Sequence, residues 1–277
     1  MDIDIPGLFE RVTNPPPLVT VVRMSGIIAA GGGLLRGGVN LANQAGPLKA
    51  AFAPKRLAAV ALIINSPGGS PVQSSLIGKR IRQHAEEKGV PVIAFVEDVA
   101  ASGGYWLAVA ADEIVADANS ILGSIGVVTA GFDLHEAIAR LGIRRRLYTQ
   151  GEHKRMLDPF LPERSEDVER LKALQADMHA SFKAWVRLRR GGKLTGDDET
   201  LFNGDVWTGT RALELGLIDG IGDIRSTLRA RFGDKVRLRL VGERRGWMRR
   251  WFRAADTPPA ELLAAIEERI AWWRWGL

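Results

Sequence analysis

The chain has 277 residues and a hydrophobic content of 46%, enough to bury a substantial core as one large α/β domain or as one domain with appendages. It contains no cysteine, which excludes disulfide staples, thiolate catalysis and cysteine-held zinc or iron–sulfur sites; any nucleophile must carry oxygen or nitrogen. The net charge of +6 sits at one end: residues 225–277 hold 13 Lys/Arg against 6 Asp/Glu, while the first 224 residues hold 25 against 26, which argues against nucleic-acid binding by the main domain.

Met1-Asp2-Ile3-Asp4-Ile5-Pro6 lacks the basic region and apolar run of a signal peptide, and no apolar stretch reaches the roughly 18 residues of a membrane span. The simplest expectation is a cytoplasmic protein, peripheral at most on the inner membrane. Residues 1–17 form a lead-in that ends in the stiff Asn14-Pro15-Pro16-Pro17. Leu18 to Met24, rich in β-branched residues, predicts a first strand. Gly31-Gly32-Gly33 and Gly37-Gly38 mark a loop, and Leu41 to Phe52 predicts a helix interrupted near Gly46-Pro47.

Ala58 to Ile64 is a continuous apolar run suited to a strand buried on both faces, ending in Asn65-Ser66-Pro67-Gly68-Gly69. Residues 72–88 have helical spacing, with Leu76, Ile77 and Ile81 inward. Val90 to Val96 is another buried strand. A helix follows Ser102 through Tyr105 to Ala111, then short strands near Glu113 to Ala116 and Gly126 to Thr129. Gly131 to Leu141 predicts a helix, Arg144 to Thr149 a strand, Glu163 to Arg190 a long helix, and Trp207 to Val241 a final α/β part. The alternation of strands and helices points to right-handed parallel crossovers.

Two segments carry the chemistry. Ser102, in Ala101-Ser102-Gly103-Gly104-Tyr105, stands at a strand-to-helix junction; Lys154, 52 positions later, lies in a constrained loop flanked by Met156, Leu157, Pro159 and Phe160. A serine hydroxyl needs a base that removes its proton as it attacks. Lysine serves only when neutral, so its pKa must fall several units from about 10.4 through burial or a nearby positive charge. Gly103, at a helix start, offers an oxyanion-stabilising N–H, and the Gly68-Gly69 turn after a buried strand offers a second.

Five motifs occur in order: Ser66-Pro67-Gly68-Gly69, Ala101-Ser102-Gly103-Gly104-Tyr105, Gly123-Ser124-Ile125-Gly126-Val127, Gly151-Glu152-His153-Lys154 and Gly204-Asp205-Val206-Trp207-Thr208-Gly209. In order and spacing, over residues 18–240, they resemble the signal peptide peptidase A family of serine–lysine peptidases, family S49, in its half-length form. The resemblance implies an α/β, ClpP/crotonase-like fold built from repeated β-β-α units over residues 18–241. It implies Ser102 as nucleophile, Lys154 as general base, Ser124 as the hydroxyl that positions the lysine, and the N–H groups of Gly69 and Gly103 as the oxyanion hole. It also implies hydrophobic, unfolded peptide substrates such as signal-peptide remnants, no cofactor, and homo-oligomeric rings in which serine and lysine can come from neighbouring subunits.

Other readings stand beside this one. A crotonase-type acyl-CoA hydratase or isomerase would use the same backbone N–H pairs but needs a carboxylate acid/base that the Ser102 motif does not supply. An inactive peptide- or membrane-binding scaffold is a third. Of the four histidines, His84 and His179 fall on helix faces expected to meet solvent, His135 opens a helix, and His153 should point away from Lys154; none has metal-ligand spacing, so no metal is expected.

Residues 242–277 read as a basic, Trp-rich helical C-terminal extension. Trp247, Met248, Trp251 and Phe252 gather on one helical face, with Leu262, Leu263, Ile266, Ile270 and Trp273 in a second stripe beyond Pro258-Pro259. Trp247, Trp251, Phe252 and Trp273 are candidate contacts to an anionic membrane surface; packing on the body or a neighbouring subunit is the alternative.

Overall fold

The computed structural model describes residues 15–30, 38–242 and 272. The lead-in up to residue 14, the glycine loop 31–37 and the membrane-contact candidates Trp247, Trp251, Phe252 and Trp273 lie outside the described residues.

Eight strands form one mainly parallel sheet: β1 (Leu18–Ser25), β2 (Ala59–Ser66), β3 (Val92–Ala101), β4 (Glu113–Ala116), β5 (Ile121–Gly123), β6 (Val206–Thr208), β7 (Gly220–Ile221) and β8 (Arg237–Val241). The order along its main path is β6-β5-β3-β2-β1-β8, with β4 pairing β3 and β7 pairing β4. Only β5 and β6 run antiparallel. Because β2 is buried on both faces, its sequence is apolar without alternation, as central parallel strands are.

The helices are α1 (Leu41–Phe52), α2 (Pro71–Lys88), α3 (Gly103–Ala108), α4 (His135–Arg140), α5 (Ser165–Arg190), α6 (Asp198–Leu201), α7 (Gly209–Glu214) and α8 (Ile224–Phe232). Asn40 caps α1 by accepting from the Asn43 N–H at 2.9 Å. The helix runs without the expected interruption: Pro47 lies inside it, while Leu48, Ala51 and Phe52 anchor its second half in the core. Ser70 and Pro71 start α2, and Gly89 ends it with a left-handed φ of 64°. Ser74, Ile77, Gly78, Ile81 and Ala85 form its buried face; Leu76, expected inward, is 40% exposed. Gly78 faces the Trp106 and Trp185 rings, at a distance where even a Cβ would make ordinary contact.

The larger core cluster contains Met24, Leu62, Ile77, Tyr105, Trp106, Phe182 and Val186, drawn from β1, β2, α2, α3 and α5. A smaller cluster, with Val19, Val21, Ile63, Phe95 and Leu228, lies under α8. Trp106 stacks on Phe182 at 4.6 Å, and the Trp185 indole N–H donates to the Trp106 carbonyl, so α5 is tied to α3. A mainly parallel sheet with helices packed on it is the α/β class that the motif resemblance implies.

The sheet forks at β3. Its first half pairs with β4 from Ile93 to Val96, and its end pairs with β5 from Val99 to Ala101. Between these, the register against β2 passes from Ile64↔Val96 to Ser66↔Ala100, so three residues of β3 oppose Asn65 alone. Such a bulge bends a strand and re-aims the residues beyond it. Its polar groups are satisfied: Asn65 Nδ2 donates to Asp98 at 2.6 Å, Asn65 Oδ1 accepts from the Val99 N–H, Ser120 Oγ donates to the Glu97 carbonyl, and Arg23 forms a two-pronged pair with Glu97.

Departures from the sequence expectations concentrate in one stretch. Gly126 to Thr129 is irregular, the strand being Ile121–Gly123; the helix within Gly131 to Leu141 shortens to His135–Arg140; and Arg144 to Thr149 forms no strand and is exposed throughout. Among the described residues neither 126–129 nor 144–149 pairs with a strand; the first instead meets α5, where Gln175 donates to Thr129. No helix among the described residues is long and apolar enough to cross a membrane.

Candidate active site

The bulge of β3 delivers Ser102 to the junction with α3. Its backbone has φ 53° and ψ −120°, outside the conformations a serine prefers. Two hydrogen bonds enforce this: the Ser102 N–H donates to the Gly123 carbonyl at 2.8 Å, and the Ser102 carbonyl accepts from the Trp106 N–H at 3.0 Å. The side chain makes no capping bond to α3, although serine is among the residues that most favour that role. The half-buried hydroxyl opens into a cavity of about 710 Å³, shared with Ser124, Gly68, Gly69, Val127 and His179.

Beside Ser102 lies the turn after β2. Ile28 donates its N–H to the Gly68 carbonyl, and its own carbonyl accepts from the Ser70 N–H. This parallel bridge between Ile28 and Gly69 uses the groups on either side of Gly69, so the Gly69 N–H faces the other way. Gly69 has φ 139°, and a Cβ there would come within 2.0 Å of the Ile28 carbonyl oxygen. Buried Ser66 braces the turn, donating to the Gly26 carbonyl at 2.7 Å and accepting from the Gly68 N–H at 3.2 Å.

Gly103 opens α3, so its N–H lies outside the helix ladder. A Cβ on Gly103 would stand 3.3 Å from the Gly69 nitrogen and 2.5 Å from Ser74 Oγ, which shows how closely the two backbones approach. Sequence reasoning assigns no separate role to Ser66 or Ser74. Their signal is modest: a serine ending an apolar strand, and another on the inward face of α2.

Ser124 follows β5 with φ 50°. Its N–H donates to the Asp205 carbonyl at 2.6 Å, and its carbonyl accepts from the Gly126 N–H at 2.9 Å. The fifth sequence motif thus clamps this turn: Gly204 packs on Gly126, Asp205 holds Ser124, and the Trp207 ring fills the space where Gly123 has no side chain. His179, expected to face solvent, is half-buried, with Nε2 3.0 Å from the Ile125 carbonyl. The helix turns it inward because Phe182 and Val186, one and two turns on, are core residues.

Lys154 stands elsewhere. It lies in a run of turns from Gly151 to Leu157, is exposed, and lines neither the Ser102 cavity nor a second one nearby. The structure brings Ser102, Ser124, Gly69 and Gly103 together within one chain, without Lys154. The three non-glycine residues with positive φ among the described residues are Ser102, Ser124 and Leu157, the last three positions beyond Lys154. Among the described residues, no cluster of His, Asp and Glu is placed to hold a metal ion.

The profile of Peptidase family S49 matches residues 84–235, the stretch that carries Ser102, Ser124, Lys154 and the Asp205 clamp. The chain belongs to peptidase family S49. A putative protease of Synechocystis, slr0021, is 32% identical over 205 residues, covering 71% of this chain and 72% of that protein. The chloroplastic serine protease SPPA of Arabidopsis thaliana is 37% identical over 174 residues, 61% of this chain and 25% of that one. A Brucella abortus protein named Na(+)/H(+) antiporter NhaA is 51% identical over 286 residues, covering 99% of this chain. This chain spans only 38% of that protein's length, and the S49 profile falls inside the shared part.

Proposed function

We propose that the chain is a serine endopeptidase with a Ser–Lys dyad. Ser102 attacks a peptide carbonyl, and neutral Lys154 takes the hydroxyl proton and returns it to the leaving amine. Ser124 holds the lysine, and the Gly69 and Gly103 N–H groups receive the oxyanion. Water, activated by the same lysine, then cleaves the acyl-enzyme ester. The observation that carries this reading is the Ser102 hydroxyl: it is held at a positive-φ junction, unused as a cap, and opens to the cavity shared with Ser124 and Gly69.

Lys154 is supplied by a neighbouring copy in a homo-oligomeric ring. Its exposure in the single chain supports this, as does the apolar character of the stretch leading to it: Leu141 is 73% exposed and Tyr148 90%. Covering that surface would bury the apolar side chains and exclude water from the amine, which a lysine base requires. Substrates are unfolded apolar peptides, signal-peptide remnants among them. Residues 18–241 form the peptidase unit, and residues 242–277 add a basic contact to anionic membrane through Trp247, Trp251, Phe252 and Trp273.

Turnover of an unfolded apolar peptide by the purified chain tests the chemistry. Ser102→Ala and Lys154→Ala should each lose activity by about a thousandfold or more; full activity in either would overturn the assignment. Co-sedimentation with anionic vesicles should weaken when residues 243–277 are removed, and equal binding would remove the membrane contact.

A further inference from the structure

A second cavity, of about 870 Å³, lies beyond the serine cavity along the same stretch of chain. Gly126, Val127 and Val128 line the first; Thr129 to Leu134 line the second, facing Leu157, Leu161 and Leu171. The two are consecutive parts of one groove. Its opposite wall is a single stripe of α5 at four-residue spacing, the side-by-side spacing on a helix face. His179 lines the serine cavity and meets the Ile125 carbonyl. Gln175 Nε2 donates to Thr129 Oγ1 at 3.1 Å, where one cavity passes into the next. Leu171 and Asp167 line the second cavity.

We propose that the second cavity is a remote subsite of the peptidase, taking an apolar side chain about four residues from the bond that is cut. The helix provides the ruler. His179 and Leu171 are eight residues apart, or about 12 Å at 1.5 Å per residue. An extended peptide rises about 3.3 Å per residue and covers that span in about four. The lining decides the chemistry: Phe132, Leu134, Leu157, Leu161 and Leu171 offer apolar surface, and the charged groups beside them are negative on balance, Asp133, Asp158, Glu163 and Asp167 against Arg155 and Arg164. A leucine-sized side chain is favoured there and an acidic one disfavoured.

The inference rests on the peptidase reading, and the test separates the two. A peptide that the protein cuts is trimmed to the four residues spanning the bond, then extended by Gly/Ser arms on either side with Leu or Glu at the fourth position from the bond. On one of the two sides, the Leu peptide should show a KM about tenfold below that of the Glu peptide at equal kcat. Leu171→Gln should raise the KM of the Leu peptide to that of the Glu peptide; the exposed rim variant Phe132→Ala should raise it as well, without a risk to folding. Leu188→Ala, on the exposed side of α5, should change neither.

Cleavage that depends on Ser102 but is indifferent to Leu or Glu in both arms overturns the subsite alone. Absence of any Ser102-dependent cleavage overturns the subsite and the peptidase reading together. Dissociation of an oligomer by Phe132→Ala, with cleavage of all peptides falling in parallel, would assign the cavity to a contact between copies and overturn the subsite.

Discussion

Ser102 and Ser124 are coupled through one backbone hydrogen bond: the Ser102 N–H donates to the Gly123 carbonyl at 2.8 Å, and both serines hold positive φ, 53° and 50°. Each sits in a conformation that costs an L-residue about 1–2 kcal/mol; Ser102 is fixed there by the Gly123 carbonyl and the Trp106 N–H, and Ser124 by the Asp205 carbonyl and the Gly126 N–H. Replacing Ser102 by glycine removes that cost, whereas alanine keeps it. Ser102→Gly should therefore be more stable than Ser102→Ala by about 1 kcal/mol, read from denaturant midpoints at unchanged slope. Equal stability would mean that the junction stores no strain.

A lysine that crosses to another copy makes an arithmetic prediction. Ser102→Ala and Lys154→Ala subunits, co-expressed in equal amounts, place an intact serine opposite an intact lysine at about a quarter of the contacts in a random ring. About a quarter of the unaltered activity should return. A mixture as inactive as its components would place both residues in one chain.

The central strands and long helices are legible in the sequence because burial on both faces leaves an unmistakable apolar run, as in Ala59–Ser66, and because caps such as Asn40 and Gly89 mark helix ends. The residues Ser102, Gly69, Gly103 and Ser124 can likewise be named from their motifs. The β3 bulge is not legible, since it depends on the Asn65 side chain reaching across to Asp98 and Val99. His179 escapes notice because one histidine among charged helix residues looks solvated until the core contacts of Phe182 and Val186 fix the helix rotation. Gly126 to Thr129 and Arg144 to Thr149 look like strands because their residues favour extended backbone, yet strand formation needs a partner, and neither segment pairs with a strand among the described residues.

The bulge is expected to matter more for activity than for stability. Asn65→Ala removes two hydrogen bonds at the point where β3 turns toward β5, at about 1–2 kcal/mol. Because the next residues carry Ser102, a small misplacement there should lower kcat by about a hundredfold. A kcat unchanged at the same loss of stability would show that the bulge does not aim the serine.

Acid should weaken the contact between the end of α5 and the loop before β7. Burial alone would raise the Asp219 carboxyl, but bonds from buried Arg190 at 2.6 Å and from Lys193 at 2.7 Å outweigh it and hold the group below the usual carboxylate range. A carboxyl depressed in the folded state stabilises fully above its unfolded pKa of about 3.9, and that contribution is lost as pH falls through the lower folded value. Asp219→Ala should cost about 3 kcal/mol at pH 7, because Arg190 is left buried without its partner, and the gap from the unaltered chain should narrow below about pH 4. A gap that stays constant from pH 7 to pH 3 would contradict the ion-pair account.

The central claim is that Ser102 is the nucleophile, and covalent labelling tests it most directly. The unaltered protein, treated with a fluorophosphonate and digested for mass spectrometry, should carry one adduct, on Ser102, and Ser102→Ala should carry none. An adduct on a different residue, or equal labelling of Ser102→Ala, would contradict the account.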